Sequence, residues 1–266
     1  WDEAIAAQRR AVELDPRSIQ SASILATSYM ITRHFADALA LADRILVIEP
    51  TAERGIKIKA RCLRATGNVD AVEPLLANPG ADSETRAVQA LIKRRYPEAV
   101  DILSKVLSGS ADYGNRDVLL LLALAQHRAG DTAAARTAYE QAAQEIKREL
   151  EKVAPDSGPA AGLHSDLGVA YAGLGEAASA VAEGQKGMAM QPTSQDPLEG
   201  PLREEAMAQI YTLLGDADHA IPILARLVKI FALIDITPTF LRIDPTWDPI
   251  RNDPRFQKLA AGEDGP

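Results

Sequence analysis

Small and apolar residues return along this chain in a helical rhythm. Trp1–Leu14 is amphipathic, with Ile5, Ala11, Val12 and Leu14 on a face that needs cover. Leu25, Ala26, Tyr29 and Ala38 follow, and then Pro50, which lies 34 residues after Pro16. The pattern is clearest in His164–Pro192, with Leu167-Gly168, Tyr171, Ala180, Gly184, Gly187 and Pro192. Small residues at those points let two antiparallel helices approach closely, and the proline stops the second helix and turns the chain. Runs rich in β-branched residues are short, and no Asn-Gly or Asp-Gly stands between two of them. The pattern predicts helical hairpins throughout.

Further copies vary around the same plan. Ala4, Gln8 and Ala11 mark the second helix of a pair whose first helix is absent. A third copy runs from Arg54 through Ala60, Leu63 and Gly67 and is shortened before Pro79. The fourth is weak, and only Tyr96-Pro97-Glu98-Ala99 signals the turn into its second helix. The fifth carries Leu122, Ala123, Gly130, Ala135, Tyr139 and Ala142; the seventh carries Met207, Ala208, Tyr211, Gly215, Ala220, Leu224 and Leu227. Ala135 to Ala180 is 45 residues and Ala180 to Ala220 is 40. The added length falls after Ala142, where the helix is expected to run on through QEIKRELEKV, and in Thr193–Gly200.

The L-G-x-x-Y arrangement of Leu167, Gly168 and Tyr171, with the 34-residue period, resembles the tetratricopeptide repeat. The resemblance implies an all-α fold, a right-handed superhelix of about six helix pairs plus an orphan first helix, about thirteen helices in all. Residues 1–232 would form one elongated array, and residues 233–266 a proline-rich capping tail. Trp1 is not a natural initiator, and a first helix lacking its partner leads us to expect a piece excised from a longer protein. In the tail, L-R-x-D-P-x-W-D-P-x-R-x-D-P-R-F-x-x-L from Leu241 to Leu259 resembles the segment that closes such arrays in bacterial signalling proteins: serine/threonine kinases, adenylate cyclases and winged-helix regulators. Trp247 and Phe256 would supply the apolar area that covers the last helix pair.

Composition narrows the function. Hydrophobic residues are 47% and aromatics only 5%, so the core is expected to be Ala and Leu at short interhelical distances. A formal net charge of −8 disfavours nonspecific nucleic-acid binding. The longest apolar run, Ile221–Ile236, is interrupted by Arg226, Lys229 and Asp235 and is too short to insert in a membrane. The single cysteine, Cys62, is expected to be a small buried hydrophobe.

Catalytic chemistry finds no support. Gly173-Leu-Gly175-Glu-Ala-Ala178 matches G-x-G-x-x-A, but it joins two helices rather than a strand to a helix, so its glycines serve a turn. His34, His127, His164 and His219 lie in four different copies, none with a second ligand at i+3 or i+4. Asp216-Ala-Asp218-His219 is expected to start a helix rather than hold a metal. No enzyme, no cofactor and no metal site is expected.

The resemblance also points to a surface. In tetratricopeptide arrays the first helix of each pair lines the groove through motif positions 2, 5, 9 and 12. In the third copy these are Arg54, Lys57, Arg61 and Arg64, whose spacing keeps them on one helix face. Four cations there could accept an acidic or phosphorylated peptide, or could be neutralised by neighbouring carboxylates. Arrays of this family that clamp a C-terminal carboxylate use Lys with Asn, whereas Arg61 stands here in place of Asn. Thr27 and Met30 in the second copy and His127 in the fifth complete the expected partner-binding set. Two functions follow: a protein–protein interaction scaffold that holds an extended or helical segment, or a metabolite-sensing domain that controls an upstream effector.

Overall fold

The computed structural model describes residues 1–109, 116–232 and 236–263, which fall into two compact units, 1–89 and 90–266. The first unit contains α1 (Asp2–Leu14), α2 (Ile19–Ile31), α3 (Phe35–Ile48), α4 (Glu53–Ala65), a 3₁₀ turn η1 (Val69–Val72), α5 (Glu73–Leu76) and most of α6 (Ser83–Ile92). The second contains α7 (Tyr96–Gly109), α8 (Arg116–Arg128), α9 (Thr132–Leu150), α10 (Gly158–Leu174), α11 (Ala177–Met190), α12 (Gly200–Leu213) and α13 (Ala217–Leu227). Its tail adds α14 (Pro238–Ile243), η2 (Pro245–Ile250) and α15 (Pro254–Ala261). No strand occurs among the described residues. Before the tail these residues form a lone α1 followed by α2 to α13, joined two by two through six tight turns, as the repeat predicts.

Each hairpin turns on one left-handed residue. Arg33, Gly67, Arg94, Gly130, Gly175 and Gly215 all have positive φ, between 60° and 87°. The amide of the following residue reaches back to the end of the first helix: His34 to Tyr29, Asn68 to Leu63, Arg95 to Ala90, Asp131 to Gln126, Glu176 to Tyr171 and Asp216 to Tyr211, at 2.7–3.0 Å. This closing bond satisfies a carbonyl that the helix end would otherwise orphan. Glycine reaches this backbone region without strain; arginine does so at a cost. Of the two glycines expected to serve this turn only Gly175 does, at φ +80°; Gly173 lies inside α10, where a Cβ would collide with the Tyr139 ring.

The core follows the small-residue pattern. Leu25, Ala26 and Tyr29 of α2 bury against Ala38, Ala42 and Ile45 of α3, and Cys62 of α4 is fully buried in the same cluster. In the second unit a Cβ on Gly168 of α10 would sit 2.9 Å from the Ala180 carbonyl and 3.0 Å from the Gly184 amide of α11. Glycine is what allows these two backbones to approach so closely.

The irregular copies have local causes. In the third, η1 and the single turn of α5 replace a full second helix, with Pro74 in the first turn and Pro79-Gly80 just beyond. In the fifth, α9 runs for 19 residues and takes in the extension expected after Ala142 as far as Leu150, stopping short of Glu151–Val153.

The tail's repeated Asp-Pro pairs also gain a reason. Asp244 and Asp253 each precede a helix that opens on proline, and their carboxylates accept the Thr246 and Arg255 amides at 2.8 Å. The proline lacks an N–H at a position where none is needed. Trp247 and Phe256 are fully buried in one cluster with Leu241, Ile250 and Leu259, against Ala208, Leu224 and Leu227. The Arg251 guanidinium donates to the carbonyls of Leu241, Arg242 and Asp244 at 2.6–3.2 Å and holds these short helices together.

Candidate functional site

In the first unit, α2 and α4 border a cleft of ≈190 Å³ lined by Ser23, Ile24, Thr27, Arg54, Lys57 and Ile58. Ser23 and Thr27 turn their hydroxyls inward, donating to the carbonyls of Ile19 and Ser23 at 2.7 and 2.9 Å. They therefore present little free polarity. Ile24 is 45% exposed, which is high for an isoleucine and leaves apolar surface at the rim.

The four cations of α4 have different surroundings. Arg54 is exposed, with no ion pair among the described residues. Lys57 is half-buried and meets Asp82 at 2.9 Å, Glu53 at 3.1 Å and Glu84 at 3.4 Å. Burial works against its ammonium, but the hydrogen bonds to Asp82 and Glu53 outweigh it and hold the pKa well above the ordinary lysine value. Burial likewise works against ionised Asp82, and the bonds from Lys57 and Thr85 outweigh it and pull its carboxyl down. Arg61 is half-buried. Arg64 is buried, its guanidinium donating to Gln89 Oε1 at 3.1 Å and the Thr85 carbonyl at 2.7 Å. Gln89 in turn donates to the Val69 carbonyl and to Glu73. Arg64 thus belongs to a buried network that joins α4, η1 and α6.

The other expected residues divide in the same way. Thr27 borders the cleft. Met30 is buried in the α2–α3 core. His127 is exposed on α8 in the second unit, where partial burial and Arg128 lower its pKa.

A second cleft of ≈480 Å³ in the first unit is lined by Asp2, Ile5, Ala6, Arg9, Arg10, Glu13, Tyr29 and His34. Arg9 Nε donates to the Tyr29 hydroxyl at 2.6 Å, and its guanidinium lies 5.5 Å from that ring's centre.

Sequence spacing did not reveal a charged cluster in the second unit. Arg116 of α8 reaches Asp166 of α10 at 3.0 Å and Glu149 of α9 at 2.5 Å, with Asp117 at 3.5 Å. Burial raises the pKa of Asp166 despite Arg116. Arg203 of α12 lies beside the same stretch of α10. Arg116, Asp166 and Arg203 sit on three successive first helices and Glu149 on the second helix α9, so no local pattern unites them. Asp216 caps α13, accepting the His219 amide at 3.1 Å, as its sequence suggests.

Known proteins supply one comparison that decides the fold. No family model matches the chain, and no curated protein does. Among solved structures, a tetratricopeptide repeat protein from Parabacteroides merdae ATCC 43184 superposes with a TM-score of 0.52 at 14% identity, over 94% of this chain and 91% of that one. The fold is that of a tetratricopeptide repeat array. The APC/C hetero-tetramer Cut9–Hcn1 is also similar, with a TM-score of 0.54 and 15% identity over 92% of this chain. There the chain spans only 45% of the matched chain's length. Identities this low relate the tetratricopeptide fold and nothing more. Among the described residues no helix is long and apolar enough to cross a membrane.

Proposed function

We propose that this tetratricopeptide array is a protein–protein interaction scaffold, binding an extended or helical segment of a partner along the α2–α4 cleft. The observation that carries the reading is the pairing of exposed Ile24 with exposed Arg54 beside one cleft. An apolar anchor next to a cation suits a segment in which hydrophobic and acidic side chains alternate. Lys57 is already surrounded by three carboxylates, so Arg54 is the cation that meets the partner and Lys57 keeps α4 in place. The reading assigns the chain no catalytic step and no nucleic-acid partner, in keeping with its net charge of −8. The tail from Leu241 to Leu259 supports a finer placement, as the docking or sensory arm of a bacterial multidomain signalling protein.

Fluorescence anisotropy with a labelled peptide of alternating Leu and Glu tests the reading. Binding should saturate and should be lost in Arg54→Glu with the thermal midpoint unchanged. An affinity unaffected by Arg54→Glu, or no saturable binding, would refute it.

A further inference from the structure

Arg203 lies in the first turn of α12, and its guanidinium reaches across to α10. A Cβ on Gly162 would stand 2.6 Å from Arg203 Nη1, 3.6 Å from Cζ and 3.8 Å from Nη2. A side chain at residue 162 would push the guanidinium aside, so the bare backbone there gives the group its present seat.

What the guanidinium lacks is an acceptor. Arg203 is half-buried and Nε is buried without a hydrogen-bond partner; no ion pair reaches the residue among those described. The surrounding carboxylates are engaged elsewhere. Asp166, one turn along α10 from Gly162, accepts from Arg116, as does Glu149. Asp196 accepts the Leu198 and Glu199 amides and the Gln191 side chain, and Gln191 also donates to Glu199. Burial lowers the Arg203 pKa, outweighing the through-space pull of Asp166, Glu199 and Asp196. Two arginines on the first helices either side of α10 are thus treated oppositely: Arg116 has three carboxylates at ion-pair distance, whereas Asp166, Asp196 and Glu199 act on Arg203 only from farther away.

A buried cation without a partner destabilises a fold, and native structures seldom keep one idle. Guanidinium presents five donors in a plane, and a carboxylate matches two of them at once. We infer that Arg203, seated on the bare backbone at Gly162, anchors a carboxylate-binding subsite in the second unit. The carboxylate belongs either to a peptide or to a small free acid. This deepens the scaffold reading and rests on it only for the peptide source.

The test follows the Arg203 Nε–Hε signal by NMR in the whole chain, titrated with sodium succinate and separately with N-acetyl-Gly-Gly-Asp. A saturable shift with either probe supports the subsite, and the probe that binds identifies the source. Arg203→Lys keeps the charge but loses the planar fork, so affinity should fall about tenfold or more. Arg203→Gln should abolish the response while the thermal midpoint holds or rises, because an unpaired buried charge has been removed. If Arg203→Gln does not fold, the native titration and Arg203→Lys decide. No saturable shift with either probe, or unchanged affinity in Arg203→Lys, would overturn the inference. Arg54→Glu should leave this signal intact, so failure of the first-unit cleft and failure of this subsite are seen separately.

Discussion

Arg94 and Asp248, 154 positions apart in sequence, form a two-point ion pair: Nη1 lies 2.6 Å from Oδ2 and Nη2 3.0 Å from Oδ1. Arg94 also donates to the Tyr96 hydroxyl at 2.8 Å, and Asp248 accepts from Arg251 at 2.7 Å. The bond joins the first hairpin turn of the second unit to its tail. It gives a reason for an arginine at φ 60°, where most of the other turns have glycine. The strain is tolerated because the side chain is used.

A double-mutant cycle on Arg94→Ala and Asp248→Ala, read by urea denaturation, should give a coupling of about 1 kcal/mol, shrinking as salt is added. A coupling near zero at low salt would mean that the pair merely accompanies tail docking.

Gly168→Ala places a methyl against the α11 backbone, where neither Ala180 nor Gly184 can yield without parting the helices. The loss should be about 1–3 kcal/mol in thermal or chemical unfolding. An unchanged midpoint would show that α10 and α11 separate at little cost.

Trp247→Ala opens a large void in the cluster that joins the tail to α12 and α13. The expected cost is about 3–5 kcal/mol. Deleting residues 238–266 should go further and cause aggregation, since Leu224 and Leu227 lose their cover. A truncated chain that stays monomeric and equally stable would assign the tail to partner contact instead.

Lys57→Glu would set a fourth carboxylate among Glu53, Asp82 and Glu84. Stability should fall by about 1–3 kcal/mol, whereas Arg54→Glu should leave it within about 0.5 kcal/mol. Equal effects of the two substitutions would contradict the division of roles along α4.

Asp166 gives a pH dependence. Its folded pKa lies above the ordinary aspartate value because burial outweighs the Arg116 bond. Such a group favours the fold fully below its unfolded pKa and loses that contribution as pH rises through the folded value. Asp166→Asn keeps an acceptor for Arg116 and removes the titration. Its stability relative to the native chain should therefore improve between about pH 4 and pH 7 in denaturation at matched salt. A variant that instead loses ground over that range would show that the Arg116 pair dominates.

Much of the fold was legible because hairpin packing is written locally. The Pro16–Pro50 interval, the Leu167-Gly168 and Tyr171 pattern and the long apolar rhythm after Ala142 each reflect contacts within one or two neighbouring helices. The left-handed turns at Arg33 and Arg94 were not legible, since arginine carries no preference for that backbone region. Along α4, Glu53 could be paired with Lys57 from spacing alone, but Asp82 and Glu84 come from beyond the shortened copy. Helical periodicity placed Arg64 on the same face as Arg54 and could not reveal that Gln89 and the Thr85 carbonyl enclose it. Arg203 was missed because its distinction is a missing acceptor, which only the packed neighbours disclose.

The six hairpin turns share one closed geometry, while the described links between hairpins range from four residues after α3 to nine after α11. Insertions and deletions are therefore accommodated on only one margin of each unit. The opposite margin, where the left-handed residues sit, admits no change of length without breaking the bond that closes the turn. Divergence in this array should thus be lopsided, with loops of differing size on one rim and, on the other, substitutions alone.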